Sequence, residues 1–163
     1  MRRIGIFLIL CVIATGFCFG QLPHTFTQYT SEDGLSQNTI MSILQDDKGV
    51  MWFATWDGLY KFDGYTFNNY KAHPGDSIGL SNNRLDNIKE DRYGYIWVQS
   101  YNHQVYRFNP RLERFQAIPY DNYLSLDMYV LPCGDVWIIT VQNELIHIST
   151  HPETHEMKAT DFI

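Results

Sequence analysis

The sequence predicts an all-β fold, a β-propeller of about three four-stranded antiparallel blades forming an incomplete ring. Three observations carry this: a repeat of 40 to 45 residues, a strand-length apolar period broken by Asp and Gly turns within each repeat, and one tryptophan at a fixed place in each. At an offset of 45, Gly34, Leu35, Ser36, Asn38, Ile43, Asp46, Gly49 and Trp52 meet Gly79, Leu80, Ser81, Asn83, Ile88, Asp91, Gly94 and Trp97. A poorer third repeat follows 40 residues later, with Gly134, Asp135 and Trp137, and with Leu145 and Ile148 where Leu59 and Phe62 stand in the first. A single four-stranded unit of this size cannot bury both of its faces, so such units must stack on one another.

In chain order, residues 1–20 read as a signal peptide. Met1, Arg2 and Arg3 give a basic start, Ile4 to Phe17 an apolar run, and Cys18 and Gly20 the small residues before a cleavage point at Gln21. The apolar run is shorter than the roughly 20 residues a membrane span needs. Cleavage removes Cys11 and Cys18 and leaves Cys133 alone in the turn sequence Pro132-Cys133-Gly134-Asp135, so packing rather than a disulfide must hold the exported part, residues 21–163, together. Phe26 to Tyr29 matches the outer strand Phe67 to Tyr70 but has no inner strands ahead of it, as expected of the outer strand of a closing blade.

Blade-like repeats are expected over about residues 38–71, 83–118 and 125–160. In the first, a strand around Ile43 leads to the turn Asp46 to Gly49. Strand Val50 to Thr55, turn Trp56-Asp57-Gly58, strand Leu59 to Phe62, turn Asp63-Gly64 and strand Thr66 to Tyr70 follow. Glycine supplies the positive φ these turns need, and the preceding aspartates can accept hydrogen bonds from their own turn backbone. Trp52, Trp97 and Trp137 should lie between blades, each burying on the order of 200 Å². Closure takes about four to eight blades, so the chain is expected to be the N-terminal part of a longer protein.

Ile43, Asp46, Gly49, Trp52, Thr55, Gly58, Leu59 and Phe62 form a pattern that resembles the two-component-regulator propeller repeat. The second repeat keeps Ile88, Asp91, Gly94, Trp97 and Phe108, with Ser100 for the threonine and Gln104-Val105 for Gly-Leu; in the third the aspartate moves to Asp135. The lead-in Phe26-Thr27-Gln28-Tyr29 and Gly34-Leu35-Ser36-Gln37-Asn38 is similar to the start of the periplasmic sensors of Bacteroidetes hybrid two-component systems. That resemblance implies a periplasmic sensor module, dimeric in the full-length protein, whose remaining blades, membrane span and histidine kinase lie downstream. It also implies an oligosaccharide ligand and control of polysaccharide-utilisation genes.

The 163 residues, 45% hydrophobic and 15% aromatic, suffice for one globular core, and a formal net charge of -6 without clustered Lys or Arg argues against nucleic acid. Asp46-Asp47 and Glu90-Asp91 are adjacent carboxylates in hairpin turns, where they cap the turn instead of facing one substrate bond. His147, His151 and His155 have a metal-ligand spacing only if helical, and Pro152 with a strand at Leu145 to Ile148 makes them loop histidines instead. Trp56-Asp57 lacks the upstream Gly-His of a WD repeat. No catalytic residue, metal or cofactor is expected.

In a four-stranded blade, the loop from second to third strand and the loop between blades open on one face. There lie Trp56 and Asp57 with the segment His73 to Asn83, then Tyr101, Asn102 and His103, then Gln142 and Asn143. Flat rings beside amides and a carboxylate are what an oligosaccharide site needs. A sensor module is therefore the first reading. A secreted propeller enzyme such as a polysaccharide lyase, or a protein-interaction scaffold, is the alternative.

Overall fold

A computed structural model describes residues 26–36, 39–73, 75 and 79–162; the signal peptide lies outside these. The strands are β1 (Ile40–Gln45), β2 (Met51–Thr55), β3 (Gly58–Phe62), β4 (Phe67–Tyr70), β5 (Leu85–Glu90), β6 (Ile96–Ser100), β7 (Val105–Asn109), β8 (Arg114–Ala117), β9 (Ser125–Val130), β10 (Val136–Thr140), β11 (Leu145–Thr150) and β12 (Met157–Phe162). They form three four-stranded antiparallel sheets in which every neighbour is the next strand in sequence. This is the meander of a propeller blade, three times over.

One carboxylate organises each of the first two blades. Asp46 Oδ1 accepts the backbone N–H groups of Lys48 at 3.0 Å and Val50 at 2.8 Å, while its Oδ2 accepts the Trp52 indole N–H at 2.9 Å. Asp91 repeats this with Tyr93 at 2.9 Å, Tyr95 at 3.1 Å and Trp97 at 2.8 Å. The same group thus shapes the hairpin turn and satisfies a buried indole, which explains why Asp and Trp recur six residues apart. In the third blade Leu131 holds the corresponding place. Asp135 does not take over the role expected of a displaced turn aspartate, because it reaches across to His147 Nε2 at 3.0 Å.

The core lies between blades. Trp52, Ala54 and Leu59 of the first blade pack with Leu85, Ile88, Ile96, Val98 and Phe108 of the second. Because strand side chains alternate between faces, Trp97 of β6 points the other way, into a second cluster with Met128, Val136, Ile138, Ile146 and Ile148. Polar ties add to it: Gln99 Nε2 donates to Ser125 Oγ at 2.6 Å, and Arg107, stacked on Tyr95 at 4.3 Å, donates to His155 O at 2.8 Å. At about 25 cal/mol per Å², burying Trp52 and Trp97 stabilises each interface by several kcal/mol as an upper estimate.

Trp137 departs from the expectation of a position between blades. It is half-buried, stacked on His147 at 4.5 Å and near Phe162 at 5.3 Å, because no further sheet among the described residues covers that face of the third blade. Phe26 to Tyr29 likewise forms no strand. No backbone ladder meets it, and Tyr29 instead sets its ring edge-on against Phe62 at 4.9 Å and Phe67 at 5.6 Å, on the first blade.

Candidate functional site: the loop face

Backbone hydrogen bonds bring the second-to-third-strand turns and the blade connections together on one face. Gly58 N–H donates to Asn83 O at 2.8 Å, Tyr101 N–H to Arg84 O at 2.9 Å, Ser125 N–H to His103 O at 2.8 Å, and Val141 N–H to Leu124 O at 2.9 Å. The first-to-second-strand turns meet elsewhere: Asp47 N–H donates to the Glu90 carboxylate at 3.0 Å, and Arg92 Nη1 to Cys133 O at 3.4 Å.

The polar residues of the loop face are anchored by repeat serines. Asp57 Oδ2 accepts from Ser36 Oγ at 2.6 Å, from Lys71 Nζ at 2.6 Å and from Tyr60 OH at 3.3 Å, and Ser36 also meets the Tyr60 hydroxyl. Burial pushes the Asp57 carboxyl up, but the hydrogen bonds of Lys71 and Ser36 and the Lys71 charge outweigh it and hold the group below the usual carboxylate range. In the second blade Asn102 stands where Asp57 does. It accepts from Ser100 Oγ at 2.6 Å and donates to Ser81 Oγ at 3.1 Å, and Ser81 is bonded to Tyr106 OH at 2.7 Å.

Between Trp56 and Tyr101 lies Arg84, whose guanidinium carbon is 4.0 Å from the Trp56 ring centroid and 3.8 Å from that of Tyr101. The three side chains form one stack that bridges the first two blades, with Trp56 42% and Tyr101 52% exposed. The ring of His103 lies alongside the third blade, its Nδ1 donating to Ser125 O at 2.9 Å. Gln142 and Asn143 occupy the exposed turn of the third blade; among the described residues neither side chain bonds to the stack. A cleft of about 590 Å³ runs between the outer strands of the first two blades, lined by Tyr70, Lys71, His73, Leu80, Glu113 and Phe115, with Tyr70 OH donating to Glu113 at 2.8 Å; none of the stack residues lines it.

The remaining candidates serve structure. Asp46 and Asp91 hold their turns. Glu90 faces Asp47 across the first interface, and burial, followed by the charges of Asp47 and Asp46 against the opposing Asp47 N–H, pushes its carboxyl up to about 7. His147 pairs with Asp135; His151 accepts the N–H groups of Glu153 at 3.3 Å and Thr154 at 3.2 Å. His155, expected in a solvated loop, is half-buried against Tyr93 and bonded to Tyr95 OH at 2.9 Å. Among the described residues no three His, Cys, Asp or Glu side chains converge as a metal site, and no helix is long and apolar enough to cross a membrane.

Sequence reasoning missed Arg84, Lys71 and Glu113. Ser36 and Ser81 carried a signal, since both sit at the same repeat position, and the structure gives that recurrence its cause: each anchors a loop-face residue of its own blade.

Residues 34–57 match the family model described as two component regulator propeller. Over 83 residues, half of this chain, the sequence is 40% identical to a protein named histidine kinase P4 of Formosa agariphila, of which it spans 6%. The fold is similar to the extracellular domain of a hybrid two-component system of B. thetaiotaomicron, with a TM-score of 0.63 and 24% identity over 81% of this chain and 19% of that one. A second such domain from the same organism gives a TM-score of 0.57 at 20% identity, over 74% of this chain and 18% of the other. The chain has the fold of stacked propeller blades, and residues 34–57 of its first blade carry the two-component regulator propeller repeat.

Proposed function

We propose that the chain is the periplasmic, non-catalytic sensor segment of a hybrid two-component signalling protein, that it binds an oligosaccharide on its loop face, and that binding regulates polysaccharide-utilisation genes through a kinase in the same protein. The observation that carries the binding reading is the exposure of Trp56 and Tyr101 side by side across two blades, next to Asn102 and His103. A site shared by two blades responds to any change in how they pack, which is how a bound ligand can bias the rest of a sensor. In the full-length protein, calorimetric titration against plant and host glycan fragments should detect a ligand. Trp56→Ala and Tyr101→Ala should each weaken it about tenfold, the value of one good aromatic contact, while Lys48→Ala on the opposite face leaves it unchanged. The reading falls if Lys48→Ala loses affinity and the ring variants keep it.

A further inference from the structure

We infer that Arg84 makes the loop face a receptor for an acidic oligosaccharide, one bearing carboxylate or sulfate groups. This inference rests on the oligosaccharide reading above and deepens it. The guanidinium carbon lies over two rings, 4.0 Å from the Trp56 centroid and 3.8 Å from that of Tyr101, so packing restrains the group and its edge is what remains to make hydrogen bonds. The two ion pairs of the described residues are Lys71 with Asp57 and His147 with Asp135, and neither involves Arg84. Its Nε is buried and has no hydrogen-bond partner among the described residues.

That buried Nε is out of a ligand's reach, but the residue as a whole is half-buried, and a guanidinium held against two rings without a carboxylate offers its terminal Nη groups as a preformed half of a bidentate pair. A planar carboxylate, or two oxygens of a sulfate, supplies the other half. Asp57 is neutralised by Lys71, Asn102 takes the carboxylate's place on the second blade, and Asp86, two residues along the chain, has a buried Oδ1 without a partner and makes no ion pair with Arg84.

The test uses the full-length protein and four probes: tetrasaccharides of galacturonate, of sulfated galactose and of neutral galactose, and free inorganic sulfate. One or both acidic tetrasaccharides should bind at least about tenfold tighter than the neutral one, the low end of what a hydrogen bond to a charged group contributes. Arg84→Gln should abolish that preference. Arg84→Lys, which keeps the charge but not the fork, should retain part of it, with circular dichroism confirming that both variants fold. If the neutral tetrasaccharide binds as well as the acidic ones, or if Arg84→Gln leaves their affinity intact, the acidic assignment is overturned while the sensor reading stands. If no tetrasaccharide binds, both are overturned. Binding of free sulfate with equal affinity to wild type and Arg84→Gln would place the anion elsewhere and overturn the assignment as well.

Discussion

Replacing Asp91 by alanine should destabilise the protein by about 3 kcal/mol, through an atom outside its own blade turn. Asp91 is 4% exposed and its carboxylate accepts three N–H groups. The two backbone donors, of Tyr93 and Tyr95, sit in a half-buried turn and regain water when the carboxylate goes. The Trp97 indole N–H does not, because that residue is 0% exposed between the second and third blades. A hydrogen bond to a charged group contributes roughly 1.5 to 3 kcal/mol, and an abandoned buried donor about 1 to 3 kcal/mol; relief of carboxylate desolvation subtracts some of this. Urea unfolding of the full-length protein followed by tryptophan fluorescence would measure the change, with exposed Asp121 changed to alanine as a reference expected below about 0.5 kcal/mol. In a double-mutant cycle with Trp97→Phe, which deletes the donor but keeps an aromatic ring, the two sites should couple by about 1.5 kcal/mol. A coupling near zero, or an Asp91→Ala cost no larger than that of Asp121→Ala, would refute the view that the repeat aspartate exists to serve the inter-blade indole.

The first interface should weaken with rising pH. Glu90 has its carboxyl raised from an ordinary 4.5 to about 7, so the stabilisation from its protonated form is complete below 4.5 and is lost as pH climbs through 7; Glu90→Gln should remove this slope, seen as a melting temperature that no longer falls between about pH 5 and 7. Gly58→Ala should cost about 2 kcal/mol or more, since φ is +113° and an added Cβ would stand 2.5 Å from the carbonyl oxygen of Tyr70, a backbone atom with nowhere to go; an unchanged urea midpoint would contradict that geometry.

What the sequence disclosed follows from how local each signal is. The second to fourth strands of the first blade were legible to within a residue because Asp-x-x-Gly and Asp-Gly turns bracket them, and turn chemistry is a property of four consecutive residues; the first strand, with no turn signal ahead of it, was legible only as a strand around Ile43. The burial of Trp52 and Trp97 was legible because the repeat itself requires stacking. The state of Trp137 was not, since its half-exposure depends on what covers the third blade and not on its own repeat. Arg84 was invisible for a related reason: it sits outside the matched repeat positions, and only the packing of two blades brings Trp56 and Tyr101, 45 residues apart, against its guanidinium. A Pro-containing loop predicts a solvated His155, yet that loop folds back against Tyr93 and Tyr95, a contact that no window of neighbouring residues contains.

The fold divides its labour between two rims, and the division explains why the loop face suits recognition. On one rim the Asp-Trp bond sets turn and interface together, so a change there disturbs two structures at once. On the other rim the corresponding residues differ freely: Trp56, Tyr101 and Val141 follow one another at one position, Asp57, Asn102 and Gln142 at the next, and the second and third blades add His103 and Asn143, each in the left-handed region at φ 63° and 64°. These unlike groups nevertheless stand on like supports. Ser36 and Ser81 hold Asp57 and Asn102 from beneath through matching bonds to Tyr60 and Tyr106, so the side chains facing solvent are placed before any ligand arrives and little ordering entropy is lost on binding. Variation on a pinned scaffold leaves the blade unaltered, and the Trp56, Arg84 and Tyr101 stack is a feature of this chain and not of the repeat, because each member lies outside the positions that recur from blade to blade.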